Sequence, residues 1–222
     1  MAPDDGLITT AKRFRAVWNR CGTSDAEIET DAVYQMLRAH YAAPGRYYHT
    51  LAHLHHCLHE FDAIGLRDAG TDAIELSLWF HDLIYVPGAM DNELRSAACF
   101  ARHARGTLPD ALVALVERLI LATTHRGPPH DSIEAWVIDI DLSSFGLPWP
   151  AFLRDSRHVR EEQRSVEDAL YYAMQSRFLH SLCERTQIFT TDHFRARYEA
   201  QARANIARLL EAIAAGSTLE GL

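Results

Sequence analysis

The chain has 222 residues, of which 48% are hydrophobic and 23% are charged, a composition typical of folded globular proteins and not of disordered chains. Its formal net charge of −8 argues against a surface that binds nucleic-acid polymers, although a bound divalent metal could still attract a small anionic substrate. The four cysteines lie far apart with no C-x-x-C pair, which argues against a zinc–thiolate site and against a disulfide framework.

The N-terminal segment is acidic and has no apolar stretch, so it does not resemble a secretory signal. No uninterrupted apolar run further along the chain approaches the length that is needed to span a bilayer. We therefore expect a cytoplasmic protein without a membrane segment.

Apolar residues recur at three- and four-residue spacing through most of the chain, so we expect an all-α fold. Ser24-Asp25-Ala26-Glu27 has the pattern of a capping box that opens a helix. A loop is expected at 147–150, and residues 216–222 are expected to fray. The predicted helices run from Ser24 toward His40, through Leu51 to about Gly65, from Ile74 to about Asp82, from Asp91 or Asn92 through Ala101, from Pro109 to about His125, from Arg157 to Arg177 and from Thr191 to Ala215. A shorter segment from Val137 to Leu142 is expected to be helical or a mixed apolar stretch.

Histidine is concentrated in one part of the chain. Of the 13 histidines, five lie within the segment from His49 to His59. Imidazole is a common metal ligand and proton carrier. On its own, however, such a group is equally well explained as a solvated helix face, so the surrounding motifs have to decide between the two interpretations.

Four short motifs together suggest a metal site. The first contains His49 and His53, which are four residues apart and would project from one face of a helix. The second is the pair His81-Asp82, whose side chains diverge by about 100° on a helix but can both reach an ion between helices. The third is His125, and the fourth is Asp139-Ile140-Asp141. Imidazole nitrogens with carboxylate oxygens are typical ligands of Zn, Mn, Fe, Co or Ni.

These motifs resemble the HD superfamily of metal-dependent phosphohydrolases over at least Arg46 to Ser143. The resemblance rests on His81-Asp82 with a histidine upstream and an aspartate downstream. Tyr48-His49-x-x-x-His53 and Asp141-Leu142-Ser143 are similar to motifs of the cyclic-nucleotide phosphodiesterases, whose catalytic domains have a related metal core. The chain as a whole is similar to an uncharacterised bacterial group within the superfamily.

The resemblance implies an HD-domain helical bundle with additional C-terminal helices. It implies one domain over 1–222, with the metal core at about 46–145 and the C-terminal helices at 150–215 packed on it. The cofactor would be a divalent metal (Mn, Mg, Fe, Zn, Co or Ni), present as one ion or two. Its ligands would be His53, His81, Asp82 and Asp141.

The resemblance also implies a reaction, in which metal-activated water attacks a phosphoester or phosphoanhydride of a small phosphorylated substrate, in particular a nucleotide. Asp82 would serve catalysis as well as metal binding, and His49 would protonate the leaving oxygen. Glu93 would hydrogen-bond a metal-bound water. Arg46 and His125 would contact the substrate.

Two choices of ligand stay open at this point. Arg46-x-x-His49 also fits the first-ligand pattern of many HD proteins, so His49 is the alternative to His53, which we favour. Asp139 is the alternative to Asp141, because residues two apart on a helix differ by about 200° and should not both face one ion.

Two other functions also fit such a site. One is a non-catalytic HD-fold sensor that binds a nucleotide or a metal, and the other is a di-iron HD oxygenase, for which His125 would supply an additional ligand. His125 could equally be stabilised by the negative C-terminal end of its helix, and Glu93 by the positive N-terminal end of its own helix. Arg46 could pair with a carboxylate instead of a phosphate.

Overall fold

The computed structural model describes residues 10–22, 27–67 and 70–222. These residues form ten α-helices and two short 3₁₀ helices, and no strand occurs among them, which confirms the all-α prediction. None of the helices in this part of the chain is both long and apolar enough to cross a membrane. The helices are α1 (Ala11–Cys21), α2 (Glu27–Tyr41), α3 (Leu51–Ile64), α4 (Thr71–Phe80), α5 (Asn92–Ala104), α6 (Asp110–Ala122), α7 (Ser132–Leu142), α8 (Trp149–Glu162), α9 (Asp168–Cys183) and α10 (Asp192–Ala214), with 3₁₀ helices at Ser143–Gly146 and Leu219–Gly221.

The chain divides into two compact units, Met1–Ile138 and Asp139–Leu222. The division falls within α7, so the first unit contains α1 to α6 and the larger part of α7. The second unit contains the end of α7 and all later helices. A single domain over 1–222, with its C-terminal helices packed on a metal core, therefore stays a prediction.

The first unit is organised around α4, a short helix in which every residue from Ala73 to Phe80 is buried. This helix contacts α1, α3, α5 and α6. A helix that is buried all round belongs in the interior of a domain. Aromatic rings fill the space beside it, and the rings of Phe14 and Trp79 meet edge to face at 5.3 Å. Because α4 is held from several sides, the residues that follow it, beginning with His81, have a well-defined position.

Glu75 brings a negative charge into this buried helix. Its Oε1 accepts a hydrogen bond from Arg13 Nε at 2.8 Å, and its Oε2 accepts one from Arg20 Nη2 at 2.9 Å. Removing one partner of such a buried, charge-assisted pair would leave the other charge uncompensated. The two arginines therefore join α1 to α4 and help to hold α4 in place.

The second unit is organised around α10, which contacts α9 and the 3₁₀ helix Ser143–Gly146. Gly146 lies so close to α10 that a Cβ at this position would overlap the side chain of Tyr198. Asn205 Nδ2, also on α10, donates a hydrogen bond to the carbonyl oxygen of Phe145 at 2.8 Å. A close backbone approach and a buried amide thus fix the 3₁₀ helix against α10.

The segment from Arg157 to Arg177, predicted as one helix, consists of α8, a turn and α9. The guanidinium of Arg160 donates to the carbonyl oxygens of Gln163 at 2.7 Å and Val166 at 3.1 Å. These bonds hold the turn that separates α8 from α9. The prediction of a continuous helix was wrong because apolar spacing does not reveal such bonds from a side chain to the backbone.

Other element boundaries also differ from the prediction. Helix α1 was not predicted; the side chain of Thr10 caps it by accepting a hydrogen bond from the backbone N–H of Arg13. Helix α8 begins at Trp149, so the loop expected at 147–150 is shorter than predicted. The residues 24–26 of the predicted capping box lie outside the described residues.

The C-terminal residues do not simply fray as predicted. Leu219 is buried, and its backbone N–H donates to the hydroxyl of Tyr172 at 2.9 Å. Its carbonyl oxygen accepts a hydrogen bond from Arg157 Nε at 2.8 Å. Both partners belong to the second unit, so one apolar side chain and two hydrogen bonds fix this end of the chain within that unit.

Candidate metal centre

Helix α3 carries His53 in its first turn. The side chain of Thr50 accepts a hydrogen bond from Ala52 N at 3.2 Å and so caps the helix, which ends at Gly65 in the left-handed conformation. His53 is buried. His49 precedes the cap and is not helical, so the prediction that His49 and His53 share one helix face was wrong. Only His53 projects from α3.

The pair His81-Asp82 immediately follows the end of α4. His81 is 1% exposed, and its Nδ1 lies 2.9 Å from the carbonyl oxygen of Leu78. A carbonyl oxygen can only accept, so Nδ1 carries the proton and donates it. In the neutral ring Nε2 then presents its lone pair. Metal-binding histidines are commonly oriented in this way by a hydrogen bond from the other ring nitrogen.

Three donor atoms of the predicted ligands converge at one point. His53 Nε2 lies 3.2 Å from His81 Nε2, and Asp82 Oδ2 lies 3.3 Å from the former and 3.0 Å from the latter. Zn–N distances of about 2.0–2.1 Å in a tetrahedral site would place two nitrogens about 3.3 Å apart. Two lone pairs facing each other at such a distance require a proton or a cation between them. The chemistry and spacing of these donors therefore fit a metal ion.

Asp82 is held as an anion in this cluster. Burial by itself would raise the pKa of its carboxyl group. Without a metal, the neighbouring imidazoles of His81, His49 and His53 outweigh that cost and hold the pKa of Asp82 well below its ordinary value, and a bound metal would take the place of the proton on His81 Nε2. An ionised carboxylate between two imidazoles is the form that binds a divalent cation.

Cys57 is the member of the cluster that the sequence analysis missed. It is buried on α3, and its Sγ lies 3.6 Å from His53 Nε2. His53, Cys57 and His81 offer possible ligand atoms within 4.8 Å of one another. The spacing of four residues from His53 could have revealed it, since residues i and i+4 share a helix face. The search for cysteines in pairs overlooked that signal.

Searches of protein-family models, curated proteins and solved structures found no match to this chain. The structure itself therefore carries the interpretation. It shows a helical protein with a largely buried cluster that could hold a metal ion. The cluster consists of His53, Cys57 and His81, with Asp82 beside the two histidines.

Arg46 binds backbone carbonyl groups next to this cluster. Its Nη1 donates to the carbonyl oxygens of His49 at 2.9 Å and Asp82 at 2.7 Å, and its Nη2 donates to that of Leu83 at 2.6 Å. The guanidinium also lies over the ring of Tyr85, 5.8 Å from its centroid. These contacts make Arg46 a positioning residue that joins the segment before α3 to the turn after α4. Its predicted contact with the substrate stays a prediction.

Replacing Arg46 by lysine should lower the free energy of unfolding by about 1–3 kcal/mol, because a single ammonium cannot span three carbonyl oxygens as the planar guanidinium does. Urea denaturation measures this change, with the exposed Arg38→Lys as the control. An unchanged stability together with a raised KM would instead indicate that Arg46 serves mainly to bind the substrate.

His49 lies beside the cluster and is partly exposed. Its ring stacks on that of Tyr85 with centroids 4.2 Å apart, and meets the ring of Tyr48 edge-on at 4.9 Å. The centroids of His49 and His53 are 6.1 Å apart. The two tyrosines thus hold a titratable imidazole next to the donor atoms while solvent can still reach it.

Asp139 has a structural role in the second unit. Its carboxylate accepts hydrogen bonds from the backbone N–H groups of Thr190 at 3.0 Å and Thr191 at 2.7 Å, and from the Thr191 hydroxyl at 2.7 Å. Burial raises its pKa, and these hydrogen bonds oppose the shift. Asp139 thus fixes the residues immediately before α10. Asp141, at the end of α7, stays the predicted fourth ligand.

The other two predicted site residues have less distinctive surroundings. His125 follows α6 with a φ of 55°, an uncommon conformation for a residue other than glycine. Glu93 lies in the first turn of α5, where a negative charge is favourable. The roles of His125 in substrate or second-metal binding, and of Glu93 beside a bound water, stay predictions.

Proposed function

We propose that this protein is a metal-dependent phosphohydrolase of the HD type, with His53, His81, Asp82 and Asp141 as metal ligands. The observation that carries the proposal is the convergence of two imidazole nitrogens and one carboxylate oxygen within 3.0–3.3 Å of one another. A bound divalent ion would lower the pKa of a water molecule and neutralise phosphate charge.

Individual residues of this chain have distinct roles in metal binding and catalysis. Asp82 supplies the negative charge of the ligand set. The hydrogen bond from His81 Nδ1 to the carbonyl oxygen of Leu78 keeps the ring in the orientation that metal binding needs. His49, which is partly exposed, protonates the leaving oxygen. Glu93 hydrogen-bonds the attacking water.

The proposed substrate is a small phosphorylated molecule, in particular a nucleotide. The net charge of −8 disfavours a phosphate polymer but allows a small anion to bind where the metal reverses the local field.

A metal-dependent activity screen tests this function. The protein is stripped of metal, reloaded separately with Mg, Mn, Fe, Co, Ni or Zn, and assayed for phosphate release from nucleoside phosphates, cyclic nucleotides and other phosphoesters. We expect hydrolysis of at least one class, which chelation abolishes and added metal restores.

The screen also separates the alternatives. A fully metallated protein that hydrolyses none of these substrates would contradict the proposal. In that case, tight retention of an intact nucleotide would indicate a sensor, and tightly bound iron would indicate an oxygenase.

A further inference from the structure

We infer that Cys57 is a ligand of the bound metal, so that the centre prefers a thiophilic ion, Zn²⁺ foremost, to Mg²⁺ or Mn²⁺. This inference rests on the metal site of the proposed function. It goes beyond that function by naming a ligand outside the motifs found in the sequence, and by narrowing the metal to one chemical class.

The geometry around Cys57 supports ligation. Cys57 and His53 lie one turn apart on the same face of α3, and both are buried. Cys57 Sγ lies 3.6 Å from His53 Nε2. In a tetrahedral site with Zn–S of about 2.3 Å and Zn–N of about 2.0–2.1 Å, a sulfur and a nitrogen ligand are about 3.6 Å apart. The separation of Sγ and Nε2 therefore suits two ligands of one ion, and a turn of the His53 ring that moves Nδ1 away from Sγ would direct both atoms at that ion.

The resulting donor set determines the preferred metal. His53, His81, Asp82 and Cys57 together offer two nitrogens, one oxygen and one sulfur. Sulfur and imidazole ligands suit Zn²⁺ and Co²⁺, whereas Mg²⁺ and Mn²⁺ prefer oxygen donors. Zn²⁺ sites can expand beyond four ligands, which leaves room for a metal-bound water.

The alternative role for Cys57 is that of a small buried residue that only packs against the ring of His53. Its Sγ lies at similar distances from both ring nitrogens of His53, 4.0 Å from Nδ1 and 3.6 Å from Nε2, which places it beside the face of the ring as in a packing contact. A buried cysteine with a purely structural role is common. Absorption spectroscopy separates the two roles, because only a sulfur bound to the metal gives a ligand-to-metal charge-transfer band.

Co²⁺ serves as the probe. Metal-free protein of full length is titrated with Co²⁺ while its absorption spectrum is recorded, for the wild type, Cys57→Ser, Cys57→Ala and Cys99→Ser. Cys99 is another buried free cysteine of the first unit and lies on α5, so it is the matched control. Circular dichroism checks that each variant is folded.

We expect a near-ultraviolet sulfur-to-cobalt charge-transfer band in the wild type and in Cys99→Ser, and no such band in either Cys57 variant. We also expect the preference for Zn²⁺ over Mn²⁺, measured by competition, to fall by at least about tenfold in Cys57→Ala, since even indirect partners of a metal ligand change affinity about 10–100-fold.

Other results would count against the inference. If the wild type binds Co²⁺ without the band, or if the Cys57 variants keep it, Cys57 is not a ligand and the proposed hydrolase is unaffected. If neither Co²⁺, Zn²⁺ nor Mn²⁺ binds to the folded wild type, the metal site itself is wrong, and the proposed function falls with this inference.

Discussion

Asp82→Asn is expected to lower the affinity for a divalent metal by at least about 100-fold and to abolish phosphohydrolase activity. The substitution keeps the shape of the side chain but removes its negative charge. Asp82 Oδ2 lies within 3.3 Å of Nε2 on both histidines, so the lost charge is at the centre of the donor set. Mutation of side chains that only hydrogen-bond a metal ligand already lowers metal affinity by about 10–100-fold, so loss of a ligand's charge should exceed that range.

Calorimetric titration of the metal-free protein with Zn²⁺ and Mn²⁺ measures the affinity directly. Asp91→Asn is the matched control, because Asp91 is exposed and its side chain makes no capping hydrogen bond to α5. A folded Asp82→Asn protein that binds metal as tightly as the control and keeps its activity would place the metal elsewhere in the molecule. Loss of activity with unchanged metal affinity would assign Asp82 a purely catalytic role.

The helical framework of the candidate metal centre could largely be predicted from the sequence. The apolar spacing through Leu54 and Leu58 and the glycine at Gly65 indicated α3, and the apolar run before His81 indicated α4. Such patterns reflect burial and local backbone preference, which are properties of neighbouring residues. The prediction that His53, His81 and Asp82 share a metal site depended on residue types and order, and their donor atoms do converge in the structure.

The details that sequence reasoning missed depend on local caps and on tertiary contacts. His49 was placed on α3 because the four-residue spacing suggested it, but Thr50 caps the helix, which begins at Leu51, two residues after His49. Arg46 binds carbonyl groups of residues up to 37 positions away in the chain. Cys57 is a candidate ligand because its Sγ lies close to His53 Nε2 in the folded structure. None of these relations follows from hydrophobic periodicity.

His49→Gln should reduce the turnover of a substrate with a poor leaving group by about 100-fold or more, the usual contribution of a general acid, while metal affinity stays nearly unchanged. Glutamine keeps a polar side chain of similar reach but cannot deliver a proton at neutral pH. His49 is suited to this role because it is partly exposed and its ring stacks against Tyr85, beside the cluster and not within it.

The leaving group makes this test specific. A matched substrate carries p-nitrophenol as the leaving group on the same phosphoryl group. Because p-nitrophenolate needs little protonation as it leaves, His49→Gln should reduce the turnover of this substrate far less. Kinetics with both substrates, for His49→Gln, His53→Gln and the exposed control His59→Gln, separate the possible roles. His53→Gln should lose metal and turn over neither substrate. If His49→Gln loses the metal while His53→Gln retains it, the first ligand is His49, and the Arg46-x-x-His49 alternative is the right one.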